Sequence, residues 1–122
     1  MINFLKALYQ LFSSVIPESY LEMNSSKSVV YPYLTYSYDS REDERFVDEF
    51  TISVDVFDDR GKSFVRIEQV CFDLKKALSY HEVLTDEFLM RIYFVRQNPI
   101  PTGSNILQRR NMEFSIKIDW RN

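Results

Sequence analysis

The sequence predicts an α+β fold: a single four- to five-stranded, mostly antiparallel sheet with two helices packed on one face. Three observations lead there. Two segments place apolar residues at helical spacing, while several others alternate apolar with polar residues. Helices and strand pairs are segregated along the chain instead of following one another as β-α-β units. Hydrophobic residues make up 45% and aromatics 16% of 122 residues, enough for one core in one domain spanning 1–122.

The first helix is expected over residues 3–15, where Phe4, Leu5, Leu8, Phe12 and Val15 form one apolar face. Pro17 ends it, because the residue before a proline is pushed out of the α region. Ser19 to Met23 reads as a short strand and Asn24 to Ser28 as a polar turn. A strand follows over 29–38, with Leu34, Tyr36 and Tyr38 on one face and Tyr33 and Thr35 on the other. Pro32 cannot donate to a ladder, so it belongs at an edge or at the strand's start. Residues 39–45 read as a charged hairpin connection.

The next strand, about 46–57, alternates cleanly: Phe50, Ile52, Val54 and Val56 against Thr51, Ser53 and Asp55. Asp58 to Gly61 is a turn, and Ser63 is the expected N-cap of a second helix reaching Ser79. That helix turns Ile67, Val70, Cys71, Leu74, Ala77 and Leu78 inward. Residues 87–96 read as a strand with apolar residues on both faces, hence central or covered on both sides. Residues 97–105 read as a loop. A closing strand over about 110–120 alternates Met112, Phe114, Ile116, Ile118 and Trp120 with polar neighbours.

Composition narrows the function. Two glycines leave no glycine-rich phosphate cradle, and a net charge of −3 argues against a dedicated nucleic-acid binder. No apolar run approaches the ~20 residues that cross a bilayer, so no membrane partner is expected, and no leader peptide is expected at the N-terminus. The lone Cys71 forms no intramolecular disulfide and suits a reducing compartment. His81 is the only histidine. With Cys71 on the buried stripe and His81 beyond the helix, no nucleophile–base pair is expected. Three or four ligands of zinc type are lacking. Glu42, Asp43 and Glu44, or Asp55, Asp58 and Asp59, offer oxygens to a hard cation, but neither has the spacing of a calcium loop and both read first as solvated turns. No cofactor, metal or catalytic residue is therefore expected, and the chain reads as a non-enzyme.

What remains is surface. Arg109 and Arg110 flank the 97–105 loop and suit weak phosphate contact without base readout. Val65 and Phe72 lie off the helix's inward stripe, and Val30, Tyr31 and Tyr33 sit on an otherwise polar side. Exposed aromatics of this kind are common interface anchors.

The pattern of elements resembles the tail terminator and tail-completion, or head–tail joining, proteins of long-tailed phages. The matching stretches are Met1 to Phe12, Tyr31-Pro32-Tyr33-Leu34-Thr35-Tyr36, Phe50 to Asp59 with the helix carrying Ile67, Val70, Leu74 and Leu78, and Met112 to Trp120. The resemblance implies a structural virion protein that forms a ring, usually of six copies, caps the tail tube and docks to the head connector, with DNA passing through its lumen. It implies partner contacts at the hairpin tip (Arg41, Glu42, Asp43, Glu44, Arg45) and at the loop (Pro99, Ile100, Pro101), beside the surface candidates Arg109, Arg110 and Phe72. Location follows: the virion's tail or head–tail interface, and host cytoplasm during assembly. The competing reading is a small binding or adaptor module, regulatory or weakly contacting nucleic acid.

Overall fold

The computed structural model describes residues 2–26, 28–44 and 47–121. Helix α1 (Ile2–Val15) leads into β1 (Ser19–Leu21), β2 (Tyr33–Glu44) and β3 (Val47–Asp58). Helix α2 (Val65–Leu78) then precedes β4 (Glu82–Leu84), β5 (Phe88–Pro99) and β6 (Gln108–Trp120). The six strands form one sheet in the order β1-β2-β3-β6-β5-β4, curled into a half-barrel.

This corrects the expected four- to five-stranded, mostly antiparallel sheet. The sheet has six strands and is mixed, because β1 runs parallel to β2 with Ser19 opposite Leu34. The sixth strand, β4, is three residues long with a half-exposed centre, too short for alternation to reveal. It turns back onto β5 with Glu82 opposite Arg91.

The core follows from the periods. Phe4, Leu8 and Phe12 recur every four residues and face the sheet from α1; Ile67, Cys71, Leu74 and Leu78 do so from α2. The inward residues of β2, β3, β5 and β6, among them Leu34, Phe50, Ile52, Val54, Ile92, Phe114, Ile116 and Ile118, join the same cluster. Both helices therefore cover one face of the sheet. Phe4 packs on Phe50 with ring centroids 4.5 Å apart, and Phe12 on Tyr36 at 4.6 Å. Ala77, expected inward, is exposed.

Several boundaries moved for physical reasons. β2 continues through the charged stretch to Glu44, so the expected 39–45 connection is mostly strand. There Arg41 lies opposite Glu49 and Glu42 opposite Asp48, and the backbone ladder continues in spite of the charges. Pro32 precedes β2's first residue, as its missing N–H requires. β5 extends to Pro99, taking Gln97, Asn98 and Pro99 from the expected loop. Ser63 does not cap α2: Phe64 holds that position and makes no side-chain cap bond, while the Ser63 carbonyl accepts from Gln108 Nε2 at 2.7 Å. Of the two alternatives expected for β5, the first holds, since it lies between β6 and β4; it is not covered on both sides, since Arg91, Tyr93 and Val95 are exposed on the face away from the helices.

Candidate interaction surface

The expected contact residues separate into three places. Arg41, Glu42, Asp43 and Glu44 end β2, with Asp43 at a register irregularity between Glu42 and Glu44. Arg45, the fifth residue of that group, lies outside the described residues. The β3 ladder runs from there to Asp58 at the opposite end of the sheet, roughly 33 Å away at ~3.3 Å per residue.

At that far end the structure brings Pro99, Ile100, Pro101, Arg109 and Arg110 together. All but Pro99 border a cavity of about 290 Å³ that also touches Gly61, Phe64 and Gln108. Pro99 closes β5 opposite Arg110, and the Ile100 N–H donates to the Arg109 carbonyl at 3.1 Å. Gln108 is buried and ties two segments together, with Nε2 donating to the Gly61 carbonyl at 2.8 Å as well as to that of Ser63. Gly61 has φ +62°, the left-handed conformation that favours glycine, and its N–H donates to Ile106 O at 3.0 Å.

The two arginines are not free cations. Arg110 Nε donates to Glu68 Oε1 at 2.8 Å, its guanidinium sits 5.2 Å from the Phe64 ring, and its side chain is only 11% exposed. Arg109 meets Asp55 at 3.2 Å and lies 5.5 Å from the Phe57 ring. Both are engaged in positioning the strand end.

Phe72 forms the third place. It is 59% exposed on the outer side of α2 and, with Lys75, Lys76 and Ser79, borders a depression of about 410 Å³. Lys75 Nζ lies 4.5 Å from the Phe94 ring centroid, which joins this helix face to β5.

Of the two acidic sets, the side chains of Glu42, Asp43 and Glu44 lie outside the described residues, and Asp55, Asp58 and Asp59 do not share one side of the sheet. Asp55 points to the open face, where Asn111 Nδ2 donates to it at 3.1 Å. Asp58, three residues on and so on the opposite face, is buried on the core side. Among the described residues no group of three or more His, Cys, Asp or Glu is placed to hold a metal. Asp58 pairs instead with Arg66, whose Nε donates to Oδ2 at 2.8 Å and whose Nη2 contacts Oδ1. Burial pushes the Asp58 carboxyl up, but the Arg66 guanidinium and the Asp59 N–H outweigh it and hold it below the ordinary carboxylate range. Burial, with Glu68 nearby, pushes the Cys71 thiol up to about 12, so it stays protonated.

Sequence reasoning singled out Tyr31 and Tyr33 without seeing what gathers them. On the open face Tyr33 stacks on Phe57 at 4.8 Å, with Tyr31 at 5.5 Å and Tyr20 at 6.5 Å. Burial raises the Tyr33 phenol. The short strand over 19–23 was expected, but not its pairing: as β1 it lies parallel to β2, brings Tyr20 beside Thr35 and completes the cluster.

No protein-family model matches the sequence, and no curated protein matches it. The fold does have a counterpart. A chain from the virion of a native gene transfer agent particle superposes with a TM-score of 0.71, covering 92% of this chain and 91% of that one at 12% sequence identity. The likeness is one of fold.

Proposed function

We propose that this chain is a non-enzymatic structural protein of a virion, acting in tail completion or head–tail joining as a ring of its own copies that caps the tail tube and meets the head connector. The observation that carries this reading is the shared fold with a gene transfer agent virion chain over nearly the whole length of both. The resemblance in element order to tail-completion proteins agrees with it. A ring needs two different contact surfaces per copy. The β2–β3 end, rich in acidic residues, and the Pro99–Arg110 end, roughly 33 Å off by strand rise, are two such surfaces on one sheet. DNA would pass through the ring without base-specific contact.

Complementation tests the proposal. Particles made without the chain should show separate heads and tails by electron microscopy, and the wild-type chain should restore joined particles. A variant with Glu42, Asp43 and Glu44 all changed to Lys, shown to be folded by circular dichroism, should fail to do so. Joined, infectious particles formed in the chain's absence would refute the reading.

A further inference from the structure

The two outer strands of the sheet, β1 and β4, are short, so their neighbours β2 and β5 overhang them, and the two overhangs are built differently. β4 covers β5 only at Leu89–Arg91, and β1 covers β2 only at Leu34–Tyr36. Beyond its covered part, β5 breaks register between Phe94 and Arg96 and ends on Pro99, which has no N–H to offer. A bulge and a proline are what blunt a sheet edge.

β2 carries no such device before Glu42. The Leu34 N–H donates to Glu18 O at 3.0 Å and the Glu22 N–H to Tyr36 O at 2.7 Å, so the even-numbered residues turn their amides away from β3. Past Tyr36 the same parity turns the N–H and C=O groups of Tyr38, Ser40 and Glu42 to the outside, up to the irregularity between Glu42 and Glu44. Among the described residues no strand pairs with this stretch.

We propose that Tyr38–Glu42 of β2 pairs antiparallel with the same segment of a second copy, about a two-fold axis through Ser40. The outward amides make Ser40–Ser40 and the two Tyr38–Glu42 pairs hydrogen-bonded, giving about six backbone bonds, since each such pair exchanges two. Between them Asp39 of each copy stands opposite Arg41 of the other. These are the non-hydrogen-bonded positions, where Cα atoms approach to ~4.5 Å and opposite charges attract across the strands.

The charge pattern selects this register and a second copy as the occupant. An axis at Asp39 or Arg41 would set that residue against its own like charge. An axis at Tyr38 would bring in Tyr36, already bonded to β1. An axis at Glu42 would oppose two glutamates and run into the irregularity. Only the axis at Ser40 pairs acid with base twice over outward-facing amides. The pairing concerns the free chain and does not rest on the ring.

The experiment is sedimentation velocity of the full chain at low salt across a wide concentration range, with folding checked by circular dichroism. The wild type should show a reversible monomer–dimer equilibrium. Asp39→Arg alone, or Arg41→Asp alone, sets like charges opposite at two places by symmetry and should weaken the dimer about tenfold or more. The double variant Asp39→Arg/Arg41→Asp restores both opposite-charge pairs and should return the dimer to wild-type strength, which no head-to-tail contact would do. A chain that stays monomeric throughout, single variants that dimerise like the wild type, a double variant as weak as the singles, or a larger assembly indifferent to the exchange would each overturn the proposal.

Discussion

Replacing Arg66 with Met should reveal how the end of β3 is fastened to the start of α2. Asp58 is the one fully buried carboxylate among the described residues, and the Arg66 guanidinium is its main partner. Stripping one partner from a fully buried pair costs about 3–5 kcal/mol. Here the Arg66 side chain is 32% exposed, and the Asp59 N–H still donates to Asp58 Oδ1 at 2.9 Å. Water therefore screens part of the pair, and the expected loss is about 2 kcal/mol at pH 7. At ~4 °C per kcal/mol for a domain of this size, Tm should fall by about 8 °C. The pH dependence is the sharper readout. The Asp58 carboxyl is depressed in the folded protein. Its contribution is thus full above the unfolded value of ~3.9 and is lost as pH falls through the folded value. In Arg66→Met burial remains without the guanidinium, so protonation relieves the variant. The stability gap should begin to close below about pH 5 and go on shrinking as pH falls through the unfolded value and below it. A gap that stays constant over that range in calorimetry, or one below about 0.5 kcal/mol at pH 7, would show that the pair does not act as described.

Two further substitutions probe the core. Ile116, fully buried on β6 between Phe50 of β3 and Ile92 of β5, has rigid strands on both sides and helices above. Ile116→Ala should cost about 3–4 kcal/mol in urea unfolding, and a loss under 1 kcal/mol would contradict its placement. The Cys71 thiol, buried and pushed up to about 12, should ignore a disulfide reagent at pH 8 until the protein unfolds. Rapid labelling of the folded chain would refute that, and His81→Gln should change neither result.

The elements that sequence reasoning placed well are those whose period reports one buried face. Phe4, Leu8 and Phe12 mark α1, Phe50 to Val56 mark β3, and Met112 to Ile118 mark β6. It failed where pairing depends on distant backbone. The 39–44 stretch carries turn-like charge, yet β3 lies alongside and the ladder continues, because backbone hydrogen bonds do not read side-chain type. β4 has three residues, too few to show a period. β5 read as central or covered on both faces because Tyr93 and Val95 are apolar, but both are exposed, and the ring that Tyr93 meets edge-on at 6.1 Å is that of exposed Tyr80. The surface candidates were legible as residues and not as places. Nothing local says that Arg109 and Arg110 will be tied to Asp55 and Glu68, 54 and 42 residues away.

Much of the polar part of the sheet's open face is satisfied from within. Asn111 Nδ2 donates to Ser53 Oγ at 3.0 Å and to Asp55, Arg109 meets Asp55, Ser115 Oγ donates to Glu49 at 3.3 Å, and Arg96 stands 3.6 Å from Glu113. Groups paired with one another and wetted on one side gain little from a protein partner and lose water when covered. The unspent binding capacity lies elsewhere: in the outward amides of Tyr38, Ser40 and Glu42, in the cavity at the Pro99–Arg110 end, and in Phe72 standing in water beside Lys75 and Lys76. In the ring reading this division has a use. A face whose charges are matched in place exerts little net pull on a polyanion, so a ring that turned it inward would let DNA slide past, while the edges, ends and outer helix remained free to hold the particle together.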